Sequence, residues 1–230
     1  MQSIKDNLDK INKQILDTAM SSGRNPENIR LIAVSKRKSV EAVVEAIKAG
    51  AKHFGENYIQ EAIDKIDAIG KDTACWHFIG HLQSNKAKFA VKYFDYIHTV
   101  DTIKLAREID KQAGKISKIQ DILVQINIGE ENTKSGIKID DTLKLITQIH
   151  TYKNIAVKGL MCMPPYFLDP DQARIYFQQL VRIKDEILDK KYETVSMKHL
   201  SMGMSNDFKV AIEEGSTMIR VGTSIFGRRD

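Results

Sequence analysis

The chain has 230 residues, of which 42% are hydrophobic and 28% are charged, as is ordinary for a globular protein. Its formal net charge of +5 comes from 35 Lys and Arg against 30 Asp and Glu, an excess too small and scattered to indicate nucleic-acid binding. Cys75 and Cys162 show no metal-ligand spacing, and the sequence contains neither an apolar signal core nor a membrane-length apolar stretch. We therefore expect a cytoplasmic protein with no metal site and no membrane or nucleic-acid partner.

Short apolar runs, which predict strands, alternate along the chain with amphipathic patterns, which predict helices. Ile4, Leu8, Ile11 and Ile15 recur every three or four residues and predict an opening helix. Eight strands are predicted after it, over residues 31–35, 52–54, 76–79, 96–100, 122–126, 157–163, 197–201 and 217–221.

A helical pattern separates each predicted strand from the next. The first of these helices begins after Ser39, a favoured capping residue, and ends at Gly50. Asp101 is expected to cap the helix that follows the fourth strand. Asp169 and Pro170 form a cap-then-proline pair that predicts the start of the long helix before the seventh strand.

Eight strand–helix units in a chain of this length predict a (β/α)₈ barrel, an α/β fold of the TIM type with an extra N-terminal helix. The strands are continuous apolar runs, as expected when both faces of a parallel sheet are covered. An open doubly wound sheet is the alternative, but the Gly-x-Gly-x-x-Gly turn typical of it is absent. No linker-like segment interrupts the chain, so we expect a single domain over residues 1–230.

Active sites of such barrels lie at the carboxyl ends of the strands, where the sequence places a lysine, Lys36, after the first strand. Partial burial would favour the neutral amine, which can attack an aldehyde. The position alone favours a second interpretation, in which Lys36, Arg37 and Lys38 form a solvated basic turn.

Two small-residue segments follow the seventh and eighth strands, where barrels of this type frequently bind phosphate. They are residues 201–205, starting at Ser201, and residues 222–224, starting with Gly222 and Thr223. Glycine lets the backbone approach an anion closely, and serine and threonine hydroxyls can donate to it. The alternative is that these residues serve only as helix caps.

Arg220 is expected to point inward at the end of the eighth strand. An arginine beside a pyridine nitrogen would oppose protonation of that nitrogen, because arginine stays charged in proteins. The alternative partner for Arg220 is a carboxylate at the barrel rim, such as Glu56. His77 lies within a strand and is expected to be a hydrogen-bonded core residue.

The chain resembles the pyridoxal phosphate homeostasis protein family nearly from end to end. Seven segments carry the resemblance, at residues 33–36, 54–58, 76–86, 124–127, 159–161, 200–207 and 219–227. The resemblance implies a fold-type III barrel like the amino-terminal domain of alanine racemases, with pyridoxal 5'-phosphate (PLP) as the cofactor. It also implies that Lys36 forms the internal aldimine, that Ser201, Gly222 and Thr223 bind the phosphate, and that Arg220 and Asn57 lie beside the cofactor.

The resemblance implies a carrier or buffer of intracellular PLP, with PLP enzymes lacking their cofactor as possible recipients. The second, β-rich domain that supplies a tyrosine base in alanine racemases is expected to be absent, so we predict no catalytic residues and a monomer. The alternatives are a PLP-dependent amino-acid racemase or related enzyme, and a scaffold that binds a protein partner through basic residues (Lys86, Lys88, Lys92, Arg228 and Arg229).

Overall fold

Eight parallel strands form a closed barrel in which each strand pairs with the next along the chain and the last pairs with the first. The computed structural model describes residues 3–131 and 133–227; Arg228 and Arg229 lie outside the described residues. The predicted (β/α)₈ fold is confirmed. The strands are β1 (Arg30–Val34), β2 (His53–Glu56), β3 (Cys75–Phe78), β4 (Tyr96–Val100), β5 (Gln120–Ile126), β6 (Ile155–Cys162), β7 (Val195–Met204) and β8 (Met218–Val221).

Helices surround the barrel, and the extra N-terminal helix packs against its neighbours in space. The helices are α1 (Ile4–Ser21), α2 (Val40–Lys48), α3 (Ile59–Ile69), α4 (Ala87–Tyr93), α5 (Ile103–Gly114), α6 (Ile139–Ile149), α7 (Arg174–Leu188), α8 (Phe208–Glu213) and α9 (Thr223–Phe226). Ser3 and Asp6 form a capping box that begins α1, and the Asn7 side chain donates 2.9 Å to the carbonyl of Ile225 in α9. None of the described helices is long and apolar enough to cross a membrane.

Alternate residues of the strands face the helices and the barrel interior, as strand geometry requires. The outward side chains join the helices in one extensive core that includes Trp76, Phe78 and Ile97. The inward side chains form a separate small apolar cluster of Ile32, Leu123, Met161 and Met218. Much of the remaining interior is polar, and its buried members include His77, His98, Ser201 and Arg220.

Three predicted boundaries are wrong. Thr102, not Asp101, caps α5, because the helix begins at Ile103 and the Thr102 hydroxyl accepts from the Leu105 N–H at 3.2 Å. Asp169 caps a 3₁₀ turn at Pro170–Ala173, and the α-helix itself begins only at Arg174. β7 continues to Met204, beyond the predicted end at residue 201.

Among the described glycines, Gly159 in β6 is expected to be the least tolerant of substitution, because a methyl group there would clash with the backbone of β7. A methyl group at this position would lie 1.8 Å from the carbonyl oxygen of His199, a backbone atom that cannot move alone. Gly159→Ala should lower the free energy of unfolding by about 3 kcal/mol or more, measured by urea unfolding. Gly114→Ala is the control, since its methyl group would meet only the movable Asn154 side chain. Equal stabilities of the two variants would contradict this assignment.

Candidate functional site

A cavity of about 290 Å³ opens at the carboxyl ends of the barrel strands. Its lining comes from segments that follow six different strands, which only the closed barrel brings together. This is the end at which (β/α)₈ barrels carry their active sites. The lining residues are Val34, Lys36, Lys38, Asn57, Ile79, Met163, Tyr166, Met204, Ser205, Asn206, Arg220, Gly222, Thr223 and Gly227.

Lys36 lines this cavity from a turn that follows β1. The strand ends at Val34, so the lysine lies just beyond the strand rather than at its last position. Lys36 is half-buried, whereas Arg37 is exposed and adopts a left-handed backbone conformation with φ of 59°. Lys38 returns to the cavity wall. The predicted basic turn therefore exists. Arg37 is exposed to solvent, whereas Lys36 and Lys38 line the cavity.

A buried polar network lies beneath the Lys36 turn. The Lys65 ammonium donates to the Ser35 carbonyl at 2.7 Å and pairs with Glu56 at 2.8 Å. The Ser35 hydroxyl donates to the same Glu56 oxygen at 2.7 Å, and Glu61 completes the network at 2.6 Å from Lys65. Burial raises the pKa of the Glu56 carboxyl, although Lys65 and the Ser35 hydrogen bond oppose that shift. The network joins the ends of β1 and β2 to α3 and so supports the turn.

Asn57 follows β2 and presents a side-chain acceptor that has no partner among the described residues. Its Oδ1 atom is buried, and the residue lines the cavity. Gly80 permits this placement, because a methyl group there would lie 2.1 Å from the Asn57 carbonyl oxygen. A buried acceptor without a donor is costly, so this atom indicates a place where a ligand or water donates a hydrogen bond.

Arg220 points inward from β8 and is only 4% exposed. Its guanidinium donates to the Ser201 hydroxyl at 2.5 Å and to the Cys162 carbonyl at 2.9 Å. The suggested pairing with Glu56 is therefore not formed. Burial lowers the pKa of Arg220, but arginine remains charged in proteins. A fixed cation thus faces the floor of the cavity.

Of the three predicted phosphate-binding residues, the structure places Gly222 and Thr223 at the cavity but not Ser201. Ser201 is fully buried within β7, where its hydroxyl contacts His98 and Arg220, and it does not line the cavity. Its expected position at a strand end is wrong, because β7 continues to Met204; Ser205 reaches the cavity instead. Gly222 and Thr223 do line it, and a methyl group at Gly222 would press against Val34, whose carbonyl oxygen would be 3.2 Å away.

The cavity is cationic and partly apolar. Lys36, Lys38 and Arg220 supply positive charge, and none of the described lining residues is a carboxylate. Apolar walls with a few convergent polar groups are typical of small-molecule sites. The lining therefore suits one small anionic ligand with an apolar ring and a phosphate-like group.

Sequence reasoning missed several lining residues because they belong to loops without a recognisable pattern. Tyr166 comes from the loop between β6 and α7 and is 75% exposed, while Ser205 and Asn206 follow β7. Lys65 was also missed, although a signal exists: it falls next to the apolar stripe of α3, where a lysine must find buried partners.

The family model for the alanine racemase N-terminal domain matches residues 2–230. The chain belongs to the alanine racemase N-terminal domain family. It is 39% identical to a protein of Vibrio alginolyticus over 100% of this chain and 99% of the relative, and 40% identical to one of Aquifex aeolicus over 96% of both. Both relatives are named pyridoxal phosphate homeostasis protein. The resemblance found in the sequence is thereby confirmed.

Two solved structures share the fold of this chain. PipY of Synechococcus elongatus, solved with PLP bound, is 34% identical and superposes with a TM-score of 0.86, covering 98% of this chain and 100% of PipY. An alanine racemase of Clostridium difficile is 17% identical with a TM-score of 0.68, and the match covers 95% of this chain and 56% of the racemase. The second likeness shows the shared barrel fold alone.

Proposed function

We propose that the protein binds PLP in the cavity at the carboxyl ends of the strands and holds it covalently through Lys36. PLP supplies an aldehyde, which condenses with a lysine amine and releases water. Lys36 is half-buried and lines the cavity, the position that such a lysine needs. Lys38 lines the same cavity and is the nearest alternative amine.

Three observations support the fit of this cofactor to the cavity. The orphan Oδ1 of Asn57 offers an acceptor, Arg220 places a fixed cation at the cavity floor, and Gly222 and Thr223 line the cavity after β8. We assign the phosphate contacts to Ser205, Gly222 and Thr223, and we assign Ser201 a supporting role through its hydrogen bond to Arg220. Arg220 beside the pyridine nitrogen would keep that nitrogen unprotonated and weaken electron withdrawal by the ring.

The observation that carries this function is the relation to proteins named for homeostasis of PLP and to PipY, which is solved with PLP bound. PipY holds PLP, and the curated relatives span essentially the whole chain. We propose that this protein likewise carries or buffers PLP in the cell and shields its reactive aldehyde. Transfer to enzymes that lack their cofactor, the monomeric state and the single-domain organisation over residues 1–230 remain predictions.

A racemase or related amino-acid enzyme is the second candidate, and Tyr166 is the observation in its favour. Racemisation needs acid–base groups on both faces of the cofactor, and a phenol at the cavity wall could complement Lys36. The side chain of Tyr166 is, however, 75% exposed. Catalytic groups are normally held in place by surrounding contacts, so we favour the carrier.

Exchange of the Cα proton in deuterated water distinguishes the two functions. The PLP-loaded protein is incubated with single-enantiomer amino acids, and deuterium incorporation is followed by mass spectrometry, with Tyr166→Phe as the matched variant. A carrier should show no exchange above that of free PLP, and Tyr166→Phe should behave like the wild type. Multiple-turnover exchange that Tyr166→Phe reduces by about 100-fold would identify an enzyme instead.

A further inference from the structure

A second cluster of ligand-type side chains lies at the opposite end of the barrel, where the strands begin. It consists of His53, the first residue of β2, and Cys75 and His77 on β3, and we call it the amino-end triad. His53 and Cys75 are paired in register across the two strands. Cys75 and His77 are two residues apart on one strand and therefore share a face. The triad is thus a consequence of strand pairing, which explains why the sequence spacing showed no metal motif.

The ligand atoms of the triad converge. His53 Nδ1 lies 3.0 Å from His77 Nε2, and Cys75 Sγ lies 3.4 Å from the same nitrogen. All three atoms lie within 4.8 Å of one another. Zinc–nitrogen and zinc–sulfur bonds of normal length in a tetrahedron separate ligand atoms by about 3.3 to 3.6 Å. Small side-chain adjustments would therefore place one ion between the three atoms.

The electrostatics of the triad favour a metal at the two histidines and oppose one at the cysteine, so the proposal rests on the convergence of the three ligand atoms. Burial lowers the pKa of both His53 and His77, so their imidazoles are neutral near pH 7 and carry lone pairs. Burial raises the pKa of the Cys75 thiol to about 12, so the thiol is protonated until an ion displaces the proton. Asp95 lies close enough to contribute to that shift, and it would offset part of the charge of an ion.

The surroundings orient the triad and give it access to solvent. His77 Nδ1 lies 2.9 Å from His98 Nε2, the kind of outer contact that fixes the orientation of a ligand imidazole. His53 also lines a surface cleft of about 500 Å³ against α1, together with Arg30 and Lys52. These two cations oppose binding of an ion, while Asp95 and Asp121 favour it.

We propose that His53 Nδ1, Cys75 Sγ and His77 Nε2 bind one divalent transition-metal ion, with Zn²⁺ the best match. Two imidazole nitrogens and one thiolate form a ligand set of borderline softness, which Zn²⁺ prefers over Mg²⁺ or Ca²⁺. Three protein ligands leave the fourth tetrahedral position to water. The site uses no residue of the cavity, so it does not depend on the proposed cofactor function.

The proposed site is linked to the cavity by a chain of hydrogen bonds. His98 Nδ1 lies 3.0 Å from the Ser201 hydroxyl, which accepts from Arg220 at 2.5 Å. An ion on His77 Nε2 would leave the His77 proton on Nδ1, so that His77 donates to His98 and His98 donates to Ser201. Ser201 would then accept from both His98 and Arg220, and its own proton would be free to rotate away from His98.

Titration of the chelator-stripped full chain with Co²⁺ and Zn²⁺ tests the site. We expect one Co²⁺ per chain with a thiolate charge-transfer band in the near ultraviolet, and displacement of Co²⁺ by Zn²⁺. Cys75→Ser should abolish the band and weaken binding by about tenfold or more. His53→Gln, a change at a half-exposed strand start, should also weaken binding, while Cys162→Ala retains the band.

Circular dichroism of each variant is the control that shows whether the barrel is folded. A wild-type complex without a thiolate band, or equal affinity in the wild type and Cys75→Ser, would overturn the proposal. Because no PLP is added, these results are independent of whether Lys36 binds the cofactor.

Discussion

Lys36→Ala is expected to abolish covalent attachment of PLP and to leave the barrel folded. Lys36 lies in a turn, and the buried Ser35–Glu56–Lys65 network beneath it does not use the Lys36 side chain. Wild-type protein mixed with PLP should show the visible absorbance of a lysine-linked cofactor. After borohydride reduction, peptide mapping should find the adduct on Lys36, and the variant should show neither signal.

Lys38→Ala is the matched control, since Lys38 lines the same cavity from the same turn. It should keep both the absorbance and the Lys36 adduct. An adduct that survives in Lys36→Ala at the wild-type level, or that is scattered over surface lysines in the wild type, would contradict the assignment of Lys36. Loss of the adduct only in Lys38→Ala would move the covalent site to Lys38.

Acid is expected to destabilise the metal-free protein steeply below about pH 6.5. Burial lowers the pKa of His77 and His98 well below the ordinary histidine value. The same groups titrate near pH 6.5 in the unfolded chain, so below that pH the unfolded state binds more protons than the native state. The free energy of unfolding is therefore fully retained above about pH 6.5 and falls as the pH drops below it.

Each of these two histidines should contribute a slope of about 1.4 kcal/mol per pH unit, or about 3 kcal/mol per unit together. Urea unfolding with a chelator, measured in half-unit steps from pH 7.5 to 5, gives the slope. His98→Gln should reduce this slope by about 1.4 kcal/mol per pH unit, because it removes one of the two titrating groups. Equal slopes for the wild type and His98→Gln would contradict the expectation.

The barrel could be predicted because each buried strand is a nearly continuous apolar run. The end of β7 is placed too early, since Ser201 and Gly203 are typical of a loop although Met202 and Met204 continue the apolar pattern of the strand. That error led to Ser201 rather than Ser205 as the cavity serine. The cap of α5 cannot be assigned from the sequence either, because Asp101 and Thr102 are both favourable capping residues. The residue at which the helix begins decides between them.

Within the site, Lys36, Asn57, Arg220, Gly222 and Thr223 could be placed at the cavity from strand ends and family resemblance. The side chains that support them could not, because their partners are distant in sequence. Lys65 contacts Ser35, 30 residues earlier in the chain, and His98 contacts Ser201, 103 residues later, so only the folded barrel shows these pairs. Contacts of this kind leave no periodic signature along the chain.

The contact between Asn7 and Ile225 joins residues 218 positions apart, and pairing of β1 with β8 joins the turn of Lys36 to the segment of Gly222. Contacts of such long sequence separation form late, because the chain entropy of the whole loop must be lost first. We therefore expect cofactor capture to follow completion of the barrel. A chain still emerging from the ribosome would present Lys36 without Arg220 or Gly222, and PLP would bind only after synthesis has released the last strand.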